Sequence, residues 1–235
     1  MGRATARLLA AEGAAVAVTD LDEGAVASVV HGITGEGGTA AGWVLDVSDP
    51  DAVPRVVAEV REALGPIDIL INNAGVSIPA PIAGQDYDAA WGTTLAVNLT
   101  GHTRLIRACL PDLTRNGDGR VVNVASTEAL GATAGLSPYT ASKHGVVGLT
   151  RALAVELGAT GVTVNCVCPG PINTGMTAAI PDDMKAKFAR RRVPLRRYGE
   201  PEEVAHATLG LVLPAMTYVN GAVLVVDGGM TAQNT

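Results

Sequence analysis

Residues 119–170 contain GRVVNVAS (119–126), SPYTASKHGVVGLTRALAVELG (137–158) and GVTVNCVCPG (161–170) in succession. The first and last are short, nearly continuous apolar runs rich in valine. Such runs suit strands whose two faces are both covered, as in a parallel sheet. The middle stretch is long and has helical spacing. Strand, helix and strand in that order form a right-handed βαβ crossover, and the two strands lie parallel.

The same alternation continues in both directions. AAVAVTD (14–20), TAAGWVLDV (39–47) and PIDILINNAG (66–75) read as strands, and AVLVVDGG (222–229) as the last one. Helix patterns fill the intervals: ATARLLAAEG, DEGAVASVVHG, SDPDAVPRVVAEVREALG, DYDAAWGTTLAVNLTGHTRLIRACLPDL and EPEEVAHATLGLVL. Ser48 is the expected N-cap of the third pattern. The expected fold is therefore α/β, a doubly wound, mostly parallel sheet with helices on both faces. With no linker and no internal repeat, residues 1–235 read as one domain. Residues 174–200, rich in Pro, Gly, Arg and Met, read as its mobile substrate segment. Met176, Ile180, Met184 and Phe188 suggest a lid there. Arg190, Arg191, Arg192, Arg196 and Arg197 read as a solvated face before an anion site.

Composition narrows the function. The chain has 235 residues, is 48% hydrophobic and carries a formal charge of −6. That apolar share excludes intrinsic disorder. The acidic balance argues against nucleic acid as a partner, and no apolar run is long enough to span a membrane. The start has no signal-peptide pattern, which points to the cytoplasm. Cys109, Cys166 and Cys168 cannot make a disulfide framework, and no metal-ligand spacing accompanies them or His31, His102, His144 and His206. No metal is expected. Trp43 and Trp91 read as packing residues, and Asn123 as a strand residue bonding backbone.

Chemistry gathers at Ser126, Tyr139 and Lys143. Tyr139 and Lys143 are one helical turn apart and share a face. A lysine ammonium there would lower a phenol from its usual value near 10 toward a useful range. Ser126 closes a strand at the end where open α/β sheets bind ligands.

Asn72-Asn73-Ala74-Gly75 after a strand, Asn98 in a helix, Ser126, Tyr139-x-x-x-Lys143 and Pro169-Gly170 together resemble the short-chain dehydrogenase/reductase family. The resemblance runs from Gly2 to Val226-Asp227-Gly228-Gly229. It implies an oxidoreductase that moves a hydride between a nicotinamide cofactor and an alcohol or carbonyl substrate. Tyr139 would be the acid/base. Lys143 would tune it and hold the nicotinamide ribose, Ser126 would orient the substrate oxygen, and Asn98 would hold a relay water. Gly2, Asp20, Leu21, Asp46, Val47, Asn73, Ala74, Gly75, Tyr139, Lys143, Pro169, Gly170, Ile172 and Thr174 would contact the cofactor. Asp20 would bind ribose hydroxyls and repel a 2′-phosphate, which favours NAD over NADP. Family members usually associate through two long helices, here about 85–113 and 138–158, and the last strand, so a homotetramer or dimer is implied.

The chain departs from the family at its start. The family's T-G-x-x-x-G-x-G is represented by Gly2 alone, and the first, central strand has no counterpart. That leaves two unpaired strand edges and an apolar slot. The reading favours an internal methionine taken as the start of a longer native chain over a short form poor at binding cofactor. The alternative function is a non-catalytic binding or scaffold protein on the same fold.

Overall fold

A computed structural model describes residues 1–233. In chain order the main elements are α1 (Gly2–Ala11), β1 (Ala15–Asp20), α2 (Glu23–Gly35), β2 (Thr39–Val44), α3 (Ala52–Leu64), β3 (Ile69–Asn72), α4 (Tyr87–Leu95), α5 (Gly101–Leu113), β4 (Arg120–Val124), α6 (Ser137–Leu157), β5 (Thr163–Pro169), α7 (Asp182–Arg192), α8 (Pro201–Val212) and β6 (Val223–Val226). Every strand pair is parallel. The α/β alternation expected from sequence is present, with helices on both faces.

The sheet is split. β1 pairs with β2, and β3, β4, β5 and β6 form a separate four-stranded sheet. β1 and β3 share no ladder. One expectation needs correcting here. Runs 14–20 and 39–47 have the look of fully buried strands, yet within β1 only Val18 is buried and no residue of β2 is. A strand's burial depends on its neighbours, and these two have neighbours along one edge only. The four-stranded sheet behaves as expected: every residue of β4 and β5 is buried.

Alternation along β4 builds two cores. Val121 faces α5 and α6 together with Ile106, Cys109, Leu113, Ala154 and Val164. Val122 points the other way and joins Val167, Val204, Leu211 and Val212, with Leu9 of α1 and Ile69 and Ile71 of β3 packed against them. Burying each such side chain contributes about 1.5–3 kcal/mol.

Three local readings change. Ser48 does not cap α3. Asp49 accepts hydrogen bonds from the amides of Asp51 and Ala52, and Ser48 bonds Asp46 instead. The run 86–113 is not one regular helix, because residues 96–100 form a π-helical turn between α4 and α5. Helical spacing over 176–188 is only partly helix: α7 begins at Asp182, after a short 3₁₀ turn at Gly175–Thr177.

Candidate active site

The site lies at the C-terminal ends of β3, β4 and β5, under the first two turns of α6. Each contributing side chain has a local cause. Ser126 follows β4 in extended backbone and opens a 3₁₀ turn over Thr127–Ala129. Its Oγ accepts the amide of Glu128 at 3.2 Å, and its hydroxyl is within hydrogen-bonding reach of the Tyr139 phenol. Tyr139 is half-buried on the first turn of α6, and Lys143 is fully buried one turn later. The Lys143 Nζ sits 5.6 Å from the centre of the Tyr139 ring and donates to the Val124 carbonyl at 2.8 Å.

Electrostatics differ from the sequence expectation. Burial raises the Tyr139 phenol above its usual value; the Ser126 side chain draws it down and the Glu128 charge pushes it up. Burial also lowers the Lys143 amine to about 8. In the protein by itself the phenol is therefore held protonated and the lysine carries less than a full charge near neutrality. A lone Tyr-x-x-x-Lys spacing reveals the pairing but not the desolvation that acts on both members.

Asn98 lies in the π turn and is completely buried. Its Oδ1 accepts the Val76 amide at 2.8 Å. Its Nδ2 donates to the Val76 carbonyl and to the Ser142 Oγ, at 2.9 and 3.0 Å. The side chain thus clamps the loop after β3 against α6. That commits the Asn98 side chain to protein partners rather than to the relay water expected from the sequence. π turns recur at functional sites because they place a residue out of the regular helical ladder.

Glycine geometry shows which residues meet. A Cβ on Gly75 would stand 3.3 Å from Asn98 Oδ1 and 3.5 Å from Lys143 Nζ; a Cβ on Gly2 would stand 2.7 Å from Asn73 Nδ2. A Cβ on Gly170 would strike Asp227 at 2.6 Å. The bare backbone at 75 and 170 is what lets three strand ends converge. Asp227 in turn holds Gly229 and Thr231 through its carboxylate.

Other expected residues lie further out. Asp20 and Leu21 are exposed at the end of β1. Asp20 accepts the Asp22 amide at 3.1 Å, while Asp22 is the residue that caps α2. Asp46 is held by Ser48, and the Val47 side chain is buried in the core beneath α3. Ile172 is also buried, in the core around α8, and Thr174 begins the 3₁₀ turn. Ala74 is exposed beside Asn73.

Comparison with known proteins gives the family. A family model described as enoyl-(acyl carrier protein) reductase matches residues 1–231. A short-chain dehydrogenase/reductase of Serratia marcescens has the same fold, with a TM-score of 0.91 and 32% identity over 98% of this chain and 93% of that one. This chain belongs to the short-chain dehydrogenase/reductase family. Similar relatives include cis-4-hydroxycyclohexanecarboxylate dehydrogenase of Sinomonas cyclohexanicum, 41% identical over 99% of this chain and 92% of the relative. Meso-2,3-butanediol dehydrogenase of Serratia marcescens is 39% identical over 100% and 91%. A gluconate 5-dehydrogenase of Burkholderia cenocepacia, solved with NADP and tartrate, superposes with a TM-score of 0.92 at 31% identity, covering 98% and 91%. The chain is thus an oxidoreductase of this family, whose members act on small molecules. Among the described residues no helix is long and apolar enough to cross a membrane, and no cluster of metal-ligating residues occurs.

The residues present fit a nicotinamide dinucleotide. An exposed carboxylate at the end of β1, a bare backbone at Gly75 facing Lys143, and Gly2 opening α1 with no acidic residue in its first turn are compatible with ribose, nicotinamide ribose and diphosphate respectively.

Sequence reasoning missed a buried polar ladder. Asn72 donates to Asn123 at 2.8 Å, Asn123 to Thr150 at 2.9 Å, and Thr150 to the Val146 carbonyl. Asn123 therefore bonds side chains rather than backbone, and it locks β3, β4 and α6 together behind the site. His102 is buried, and burial, with the Lys143 charge adding to it, lowers it to about 3. All three cysteines are free and buried, and burial pushes Cys109 up to about 12, which keeps it inert.

Proposed function

We propose that this family member is an NAD-dependent alcohol dehydrogenase or carbonyl reductase acting through Tyr139, with residues 1–235 working as one dinucleotide-binding and catalytic unit. The observation that carries the reading is the meeting of Ser126, Tyr139 and Lys143 at the strand ends, with Gly75 lying close to both Asn98 and the lysine.

A bound nicotinamide supplies the two-electron donor or acceptor at the substrate carbon. The protein does the rest. Ser126 donates its hydroxyl hydrogen to the substrate oxygen. Tyr139, held protonated by burial, gives its proton to that oxygen in reduction and takes it back in oxidation. Lys143 holds the ribose and, with an amine near 8, exchanges protons close to neutral pH. Asn98 keeps the loop carrying Gly75 in place. Asp20, Leu21, Asp46, Val47, Asn73 and Ala74 take the adenosine end. Gly2, Pro169, Gly170, Ile172 and Thr174 take the diphosphate and nicotinamide end, with Val47 and Ile172 contributing backbone. Asp20, exposed and free of any adjacent Arg or Lys, supports NAD over NADP.

Residues 174–200 are proposed as the segment that meets the substrate: Met176, Met184 and Phe188 are exposed on it. A homotetramer or dimer is also proposed. Val155 on α6 and Leu224 and Val225 on β6 are exposed apolar residues, of the kind that association would cover. The cytoplasm is the proposed setting.

The test is spectrophotometric. Secondary alcohols, including cyclic hydroxy acids and vicinal diols, are offered with NAD and separately with NADP. Turnover with NAD is expected; no turnover of any substrate with either cofactor overturns the proposal.

A further inference from the structure

Ser126 and Tyr139 come from different elements, so something must fix their separation. The turn after β4 and the first turn of α6 are joined by one carboxylate. Glu128, two residues after Ser126, is half-buried. Its Oε1 accepts the Thr133 hydroxyl at 2.5 Å, and its Oε2 accepts the Thr133 amide at 3.0 Å and the Thr140 hydroxyl at 2.7 Å. Thr140 is the residue after Tyr139. At the other end, the Glu128 amide donates to Ser126 Oγ at 3.2 Å and the Ala129 amide donates to the Ser126 carbonyl at 2.9 Å. The chain of bonds therefore runs from the Ser126 hydroxyl through Glu128 to the residue beside Tyr139. Three donors on one anion make a charge-assisted clamp, stronger and more directional than neutral hydrogen bonds.

We propose that Glu128 is a positioning residue for the Ser126–Tyr139 pair, its carboxylate locking the strand end that bears the serine onto the helix turn that bears the tyrosine. The inference rests on the redox reading of that pair. A loop staple of no catalytic consequence would make the same hydrogen bonds and carry the same charge, so the effect on turnover is what separates the two. The groups facing the Tyr139 phenol are Ser126 and Glu128 from the turn after β4 and Lys143 from its own helix, with Cys168 of β5 next to Lys143. Glu128 is the anion among the first three, and its field favours the protonated phenol.

The experiment reads Tyr139 itself. Phenolate absorbance is titrated in the wild type, Glu128→Gln and Thr140→Val, each against its own Tyr139→Phe counterpart so that only the Tyr139 signal remains. Removing the charge in Glu128→Gln is expected to lower the midpoint by about half a pH unit. Thr140→Val keeps the charge and removes one arm of the clamp. It is expected to leave the midpoint within about 0.2 units while turnover of the fastest alcohol of the panel drops about fivefold or more, with KM little changed. An unmoved midpoint in Glu128→Gln, or wild-type turnover in both variants, overturns the proposal. Failure of the redox reading would look different: Tyr139→Phe alone would turn over like the wild type, while the titration would still report the Glu128 charge.

Discussion

The Lys143 amine lies 5.6 Å from the centre of the Tyr139 ring, and its hydrogen bond goes to the Val124 carbonyl at 2.8 Å. The lysine is therefore anchored to the end of β4, not to the phenol. Held there, it presents a donor to whatever lies against Gly75, whose missing Cβ would stand 3.5 Å away. Lysine and tyrosine act as neighbours on a common surface, and desolvation governs both: it raises the phenol and lowers the amine.

The pH dependence of the reaction follows from that pair. A phenol held above its ordinary value is protonated through neutral pH, so reduction is expected to be flat there and to fall in the alkaline range. Oxidation is expected to rise with pH across the same range. Tyr139→Phe is expected to lower turnover about 10²–10⁴-fold with little change in KM. Initial rates in both directions from pH 6 to 10 check this. Oxidation that declines as pH rises would contradict the assigned role.

Part of the site is legible in the sequence and part is not. Tyr139 and Lys143 announce themselves because helical periodicity is local and fixed. Ser126 and Gly170 do so because they end apolar runs. Asn98 is recognisable by family resemblance, but its π turn is not, since a hydrogen-bonding pattern one residue wider than an α turn has no compositional mark. Glu128 was silent because its partners, Thr133 and Thr140, are five and twelve residues away across a loop. The poor burial of β1 and β2 was silent for another reason. Their sequences resemble those of β4 and β5, and only the absence of a pairing neighbour between β1 and β3 makes them different.

The proposed preference for NAD rests on one exposed carboxylate. Asp20 ends β1 and uses one oxygen on the Asp22 amide. A 2′-phosphate brought there would meet like charge, which costs several kcal/mol when poorly solvated. Asp20→Ala combined with Leu21→Arg is expected to shift the NAD to NADP preference, measured as the ratio of kcat/KM values, by about 10- to 100-fold toward NADP. An unchanged ratio would mean that the ribose is read elsewhere.

His102 is buried against the site, and burial together with the Lys143 charge lowers it to about 3. It is therefore neutral throughout the working range and is not an acid or base of the reaction. Its imidazole proton resonances are expected to stay fixed from pH 8 down to 5. Below its ordinary value near 6.5 the unfolded chain binds a proton that the folded chain refuses, so this residue makes the fold less stable as pH falls. A His102 resonance titrating near pH 6.5 would show that the ring reaches solvent.

Lys143 makes a contribution of the same sign on the alkaline side. Its folded value, about 8, lies below the ordinary 10.5 because burial disfavours the ammonium. Between those two values the unfolded chain holds a proton that the folded chain has released. Stability therefore rises with pH across that window as far as this residue is concerned. The full difference amounts to about 3 kcal/mol. Other groups also titrate there, so the quantity to measure is the difference between the wild type and Lys143→Met, which keeps the stem and removes the charge. Urea melts at pH 7.5 and 10 are expected to show the wild type gaining on the variant by up to that amount as pH rises. If the gap between the two proteins is the same at both pH values, the buried amine has the same proton affinity folded and unfolded, and the desolvation argued for this site is absent.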